Sequence, residues 1–309
     1  MIDSSISKKE WNNFLKEKKG SFLQSVEWGD FKKKYQKVER IQLKENNKIK
    51  GVCQFFKEKN RLGRYFYIPF GPVTDSEKTK KELLKEVIRI AKKEKMAFIK
   101  IEPQKDFNFG IKSHHRIQPK KTSILRIEES PDDLLKKFRK STRYNIKQAF
   151  KKGVSVEKGK TIKEFFEILQ ETKERQGFST YNKDYFQELV EKNNSDVFLA
   201  KHKEKIIAGS IVLYFGEVAT YLHSAFDYKY QSMNGTALIV FESIKQSREN
   251  GCKYYDFWGL DEKKYLGVTK FKKGFKGEEV VYGNAKDIPL KKGRYFIYYL
   301  ASIIRNHLK

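Results

Sequence analysis

Cysteine is scarce in this 309-residue chain, limited to Cys53 and Cys252. Two cysteines supply neither a disulfide framework nor a zinc site, and five scattered histidines argue against any metal centre. Long apolar runs are missing too. A membrane-spanning helix needs about 20 apolar residues; the longest candidate, Tyr295 to Ile304, falls short and is flanked by Lys291, Lys292, Arg294 and Arg305. The opening MIDSSISKKEW has no apolar core of the signal-peptide kind, so a cytoplasmic location is expected. No Gly-x-Ser-x-Gly elbow, reactive-cysteine context or Walker loop is present, so no nucleophile motif marks the chemistry. Acids are also in short supply: 39 Asp and Glu against 66 Lys and Arg leave a net charge of +27. A lysine-biased composition accounts for part of this excess, but acids have not risen in step. A polyanionic partner is therefore expected: RNA, DNA, a nucleotide-linked substrate or anionic lipid.

What is present suits two ordinary domains. With 24 Phe and 17 Tyr the chain can build two hydrophobic cores, which excludes wholesale disorder. A first helix is expected through Trp11, Phe14 and Leu15, then a hairpin with arms at Val38 to Leu43 and Ile49 to Phe56. Arg64 to Pro69 reads as a strand closed by a Gly71-Pro72 turn. Ser76 can cap a helix carrying Leu83, Leu84, Val87, Ile88 and Ala91, followed by the strand Ala97 to Ile101, which ends at Glu102. The second half starts a helix at Ser130-Pro131 and continues with helices through Phe165 to Leu169 and Tyr185 to Val190. Strands at Val197 to Ala200, Ile206 to Tyr214 and Val218 to Phe226 precede a helix from Gly235 to Arg248 and a strand, Tyr254 to Phe257, that carries Asp256. Strands, a long helix and a strand with a terminal acid thus occur twice, which favours two domains of one mixed α/β type. Polar Asp106 to Lys121, with His114, His115 and Pro119, reads as the linker.

Several segments can carry chemistry, each with a plainer alternative. Trp28 and Phe31 beside Lys32 to Lys34 suit either a packed aromatic pair with snorkelling lysines or a point charge aimed at a phosphate. Arg139 and Arg143 share a helix face in RKSTRYNIK, which is either an exposed basic helix or a phosphate site. Gly235-Thr236-Ala237 opens a helix as a pyrophosphate loop would, but Asn234 stands where the first glycine of that loop belongs. Asp256 at a strand end lies where α/β folds place sites. Lys272 after Phe271 is either a buried oxyanion donor or a surface lysine.

Together these segments resemble the Fem family, the aminoacyltransferases that build peptidoglycan cross-bridges. The resemblance is carried by FLQSVEWGDFKK (22–33), YIPFGPV (67–73), IEP (101–103), IQPKKTSILRI (117–127) and RKSTRYNIKQAFKKGV (139–154). It continues through ATYLHSAFD (219–227), YYDFWG (254–259) and FKKGFKG (271–277), in the family's order and over nearly the whole chain. It implies two tandem GNAT-like domains with mixed sheets: residues 1–122, completed by a C-terminal helix returning at 290–309, and residues 123–289. With no heptad run, the chain resembles the compact FemX-like type that lacks a coiled-coil arm.

The implied reaction moves an amino acid from aminoacyl-tRNA, a co-substrate, to the stem-peptide amine of lipid II or its UDP-linked counterpart, with no cofactor, no metal and no DNA partner. By the same resemblance Lys32 contacts pyrophosphate, Glu102 and Asp256 are the site acids, and Phe271-Lys272 steadies the tetrahedral intermediate. Trp28, Arg139, Arg143, Tyr181, Tyr185 and Tyr221 are expected on the substrates. Tyr181 replaces an arginine of some members, four residues before Tyr185 and close to the Gly177-Phe178 pair. Two rivals make other demands. An acetyl-CoA-dependent N-acetyltransferase needs an intact pyrophosphate loop, and a non-catalytic RNA-binding protein needs neither Glu102 nor Asp256 nor Lys272. The segment Tyr295 to Ile304 is expected to close the first domain's core; its rival role is peripheral contact with the inner membrane face through aromatics and cations.

Overall fold

The computed structural model describes residues 2–3, 6–60, 63–176 and 180–307. The chain divides into two compact units, Met1–Lys120 with Val281–Lys309, and Lys121–Val280. Each is built on one mixed sheet, and the α/β, GNAT-like architecture expected from the sequence is the one observed.

In the first unit the strand order is Ile2–Asp3, Val38–Glu45, Lys48–Asn60, Gly63–Pro69, Phe98–Glu102, Lys286–Pro289 and Ile111–Lys112, with Val73–Thr74 paired to Lys48–Asn60. Phe98–Glu102 lies parallel to Gly63–Pro69 and antiparallel to Lys286–Pro289, and all five of its residues are buried. Side chains alternate across a strand. Ile99 and Ile101 therefore meet Leu83, Leu84, Val87 and Ala91 of the helix Glu77–Lys93. Phe98 turns the other way, against Tyr295 and Tyr298 of the helix Lys292–His307. Ser76 caps the helix Glu77–Lys93 as its sequence foretold, its Oγ accepting from the Thr79 N–H at 3.1 Å.

Two expectations about this unit change. Lys286–Pro289, placed in the second domain by the sequence reading, is a strand of the first sheet: Ile288 pairs with Ile99. Residues 106–120 are a packed part of the first unit and not a free linker, since Ile111–Lys112 pairs with Lys286–Pro289 and Ser113 is buried. The side chains there are exposed or half-buried, as polar composition suggested, except Ser113, whose Oγ lies 2.5 Å from the buried ammonium of Lys100.

The second unit orders its strands Glu278–Val281, Lys121–Arg126, Tyr254–Asp256, Val218–Phe226, Lys205–Phe215, Ser195–His202 and Ser155–Gly159. The helices Lys140–Lys151 and Gly235–Glu249 cover one face, contributing Ile146, Ala149, Leu238 and Ile244 to a core shared with Ala208 and Val212. The helices Lys163–Gln176 and Lys183–Lys192 pack on the other. Gly209 shows how closely: a Cβ there would lie 2.9 Å from Phe165 Cδ2. The strands Lys121–Arg126 and Ser155–Gly159 and the helix Leu266–Lys273 were not foreseen in the sequence.

Candidate active site

In the second unit the short strand Tyr254–Asp256 sets the site. It runs parallel to Val218–Phe226 and antiparallel to Lys121–Arg126, so Asp256 pairs with Thr220 on one side and Ile124 on the other. Beyond it the chain turns sharply, with Trp258 at φ 49° and Gly259 at φ 90°. Three side chains hold that turn. Asp256 Oδ1 accepts from Thr122 Oγ1 at 2.5 Å and from the Trp258 N–H at 2.8 Å. Thr122 Oγ1 in turn accepts from the Gly259 N–H at 3.3 Å. Lys272 Nζ donates to the carbonyls of Trp258 and Gly259 at 2.8 and 2.9 Å.

Lys272 is only 8% exposed, which settles its position in favour of the buried reading. Burial pushes the ammonium down to about 8, against the pull of the Asp256 carboxylate. Two of its three N–H groups hold carbonyls, and among the described residues the third has no acceptor. Phe271, on the same helix Leu266–Lys273, packs onto the core and meets Phe275 at 5.4 Å.

In the first unit Glu102 is fully buried, and its carboxylate is heavily engaged. Oε1 accepts from the Ile117 N–H at 2.6 Å; Oε2 accepts from the Gln118 N–H at 2.8 Å and from the Tyr67 hydroxyl at 2.9 Å. Burial pushes its pKa up, opposed by those two amides and by Arg116. Arg116 is itself committed to backbone carbonyls, Nη1 to Gly283 at 2.7 Å and Nε to Gln118 at 2.9 Å. A carboxylate with both oxygens occupied anchors the 116–118 turn before it does anything else.

The FLQSVEWGDF segment turns out to be framework. Gln24 Nε2 donates to the carbonyls of Gln54 and Pro69 at 2.9 and 2.7 Å, and the Gln54 N–H returns a bond to Gln24 Oε1 at 2.8 Å. Trp28 is buried edge-on against Phe22, 5.0 Å away, and packs as part of that framework. Lys32 ends the helix Val26–Lys32 half-buried. Burial lowers its pKa and Glu58 opposes this, so the lysine faces a carboxylate as well as any anion.

The remaining candidates separate. Arg139 is exposed, whereas Arg143 turns inward and donates to the carbonyls of Phe138 and Lys136, closing the helix Pro131–Lys137. The two arginines therefore do not form a joint phosphate fork. Tyr181 is 54% exposed and stacks on buried Tyr185, ring centroids 3.7 Å apart. Gly177 and Phe178 lie outside the described residues. Tyr221 is buried, and burial pushes its hydroxyl up to about 12. Gly235 is explained by packing: a Cβ there would sit 3.1 Å from Ala200 Cβ and Ile207 Cδ1. That is tighter than an ordinary Cβ contact, so packing by itself favours glycine there. Sequence reasoning missed Thr122, Tyr67 and Arg116; each lay within or beside a recognised fragment, but only tertiary pairing shows what it holds.

Comparison with known proteins shows what the chain is similar to. The sequence profile of the FemAB family matches residues 6–109, 108–201 and 191–302. A lipid II:glycine glycyltransferase of Staphylococcus haemolyticus is 26% identical over 375 aligned positions, covering 88% of this chain and 89% of that protein. One from Staphylococcus aureus is 24% identical over 373 positions, covering 87% and 88%. Both alignments are longer than the 309-residue chain, so these relatives carry segments with no counterpart here. A crystal structure of FemX superimposes with a TM-score of 0.86 at 21% identity, covering 96% of this chain and 99% of that one. A tandem GNAT protein from the clavulanic acid pathway reaches 0.58 at 8% identity, covering 94% and 98%. These two likenesses are likenesses of fold.

Proposed function

The chain belongs to the FemAB family, and from that membership we propose that it is an aminoacyltransferase of peptidoglycan bridge synthesis. The donor is an aminoacyl-tRNA. The acceptor is the stem-peptide amine of a pyrophosphate-linked muropeptide, carried on lipid or on UDP. The relatives named lipid II:glycine glycyltransferase support the reaction class. The observation that carries the chemistry is Lys272, a nearly enclosed ammonium with one donor to spare.

The acceptor nitrogen attacks the ester carbon of the donor. As the C–N bond forms, the carbonyl electron pair moves onto oxygen, and protonated Lys272 stabilises that oxyanion. The pair then returns, the bond to the ribose oxygen breaks, and the proton lost by the amine ends on that oxygen. The ester is already activated, so atoms and electrons balance without an oxidant or nucleotide hydrolysis. What the protein adds is alignment of two large substrates and one well-placed charge. Asp256 and Thr122 fix the Trp258-Gly259 turn, and Lys272 is tied to the same turn, so its ammonium is held before the substrate arrives.

The test feeds purified protein a charged total-tRNA pool and acetyl-CoA together with lipid-linked and UDP-linked precursors, and weighs the products. Addition of one or more amino-acid residues to either precursor supports the reading, and the heavier product identifies the acceptor. Acetyl addition from acetyl-CoA, with none from tRNA, would overturn it.

A further inference from the structure

The helix Lys292–His307 buries one side in the first unit. Tyr295 and Tyr298 pack on Phe98, and Ser302 continues that inward face. On the opposite side Phe296, Ile297 and Leu300 are 59%, 56% and 44% exposed. Their i, i+1 and i+4 spacing makes them neighbours on one stripe. A helix apolar on both sides is normally covered on both. A lone exposed leucine needs no explanation, but a contiguous stripe does.

Charge selects the occupant. Lys291, Lys292 and Arg294 crowd the start of this helix, whose first turn holds no acid. The N-terminal end of a helix is its positive pole, so cations there oppose the dipole and do not stabilise the fold. Their placement suits an external anion. A second copy of the chain would bring the same cations to a self-complementary interface, on a molecule already at +27. An anionic bilayer answers both features: its acyl boundary receives Phe296, Ile297 and Leu300, and its headgroups receive the lysines and the arginine.

We infer that the outer face of this helix docks the protein onto an anionic membrane surface. Tyr298 and Tyr299, which aromatic content alone would nominate, do not form that face. Tyr298 is in the core, and the Tyr299 hydroxyl lies 3.0 Å from His114 Nε2. This docking site stands apart from the acceptor assignment, because vesicle binding is read without turnover.

The experiment is flotation of the full chain with phosphatidylglycerol–phosphatidylcholine vesicles, at physiological salt and at about 0.5 M salt, where surface charge is largely screened. The native protein should retain binding in high salt. The triple variant Phe296→Ser, Ile297→Ser, Leu300→Ser should lose roughly a hundredfold in partitioning while keeping its melting temperature, since those side chains are exposed. Lys292→Glu with Arg294→Glu should weaken binding at physiological salt and leave the binding that remains at about 0.5 M salt nearly unchanged. Binding abolished by salt in the native protein, or unchanged in the triple variant, would reduce the interaction to general polycation adhesion and overturn the inference. A native dimer that the triple variant converts to monomer would assign the stripe to a second copy instead.

Discussion

Lys272 gathers two properties that belong together in an acyl-transfer site: a charge removed from water and a rigid mount. Replacing it with Met removes a donor that matters once the carbonyl oxygen is charged. kcat should therefore fall by about 10²–10³ with both substrate affinities nearly unchanged. Lys272→Arg should rescue poorly, because a planar fork cannot hold two carbonyls and a third oxygen in the same way. The pH dependence follows from the same residue. A stem amine of ordinary pKa, about 10.4, becomes reactive in proportion to its deprotonated fraction, so the rate climbs with pH. Above about 8 Lys272 loses its proton and the oxyanion loses its partner. The two trends cancel, and log(kcat/KM) should rise with unit slope to about pH 8 and then flatten. In Lys272→Met the break near 8 should vanish; a break that persists would assign it to another group. Glu102 invites the opposite expectation. Its oxygens hold two amides and a phenol, so Glu102→Gln turns an accepting oxygen into a donating NH₂ facing donors. We expect a stability loss of about 1–3 kcal/mol by denaturant titration and a raised acceptor KM, with the pH profile intact. A collapse of kcat at unchanged stability would instead assign Glu102 the role of general base.

Lys100 and Asp287 join elements far apart in sequence. Lys100 Nζ, fully buried on Phe98–Glu102, donates to Asp287 Oδ1 at 2.9 Å and to the His115 carbonyl at 2.9 Å, while Tyr295 donates to Asp287 Oδ2 at 3.1 Å. One ion pair thus ties the returning strand Lys286–Pro289 and the helix Lys292–His307 to the sheet. Lys100→Met should cost about 3–5 kcal/mol, because it strands a buried carboxylate. Lys100→Met with Asp287→Leu should recover much of that loss, and a double variant no better than the single would dismiss the pair. This coupling also explains what could be read from the chain. Helices with a cap and a 3.6-residue apolar period, such as Glu77–Lys93, declared themselves, as did the hairpin of Val38–Glu45 and Lys48–Asn60. Lys286–Pro289 did not: four residues with one lysine and one aspartate carry no strand period, and only a cationic partner 187 positions away makes Asp287 a core residue. The same holds for Thr122, whose role depends on Asp256 at 134 positions' distance. Lys272 was named through its family fragment, but its burial came only with the turn at Trp258 and Gly259. Trp28 shows the converse, a motif residue whose aromatic conspicuousness reflects packing.

The two units differ in how they are encoded. Lys121–Val280 is one continuous stretch with its own sheet and core, whereas the other unit is assembled from Met1–Lys120 and Val281–Lys309. A fragment spanning residues 121–280 keeps every helix and the whole hydrophobic cluster of its sheet, and loses only Val281 from the edge strand Glu278–Val281. It should fold alone, with a cooperative thermal transition and dispersed amide resonances. A fragment ending at Lys120 loses the strand that pairs with Phe98–Glu102, and with it Tyr295 and Tyr298, which cover Phe98. Uncovering an aromatic of that size forfeits about 1.5–3 kcal/mol before the unpaired strand edge and the loss of the Asp287 carboxylate from buried Lys100 are counted. Against a total of about 5–15 kcal/mol for a domain, that sum is ruinous. Residues 1–120 should therefore aggregate or remain unfolded, and adding 281–309 as a separate peptide should restore helical circular dichroism and solubility. A well-folded 1–120 fragment would show that the C-terminal return is an accessory and not part of the core. It would also free the helix Lys292–His307 from any duty except the surface it presents.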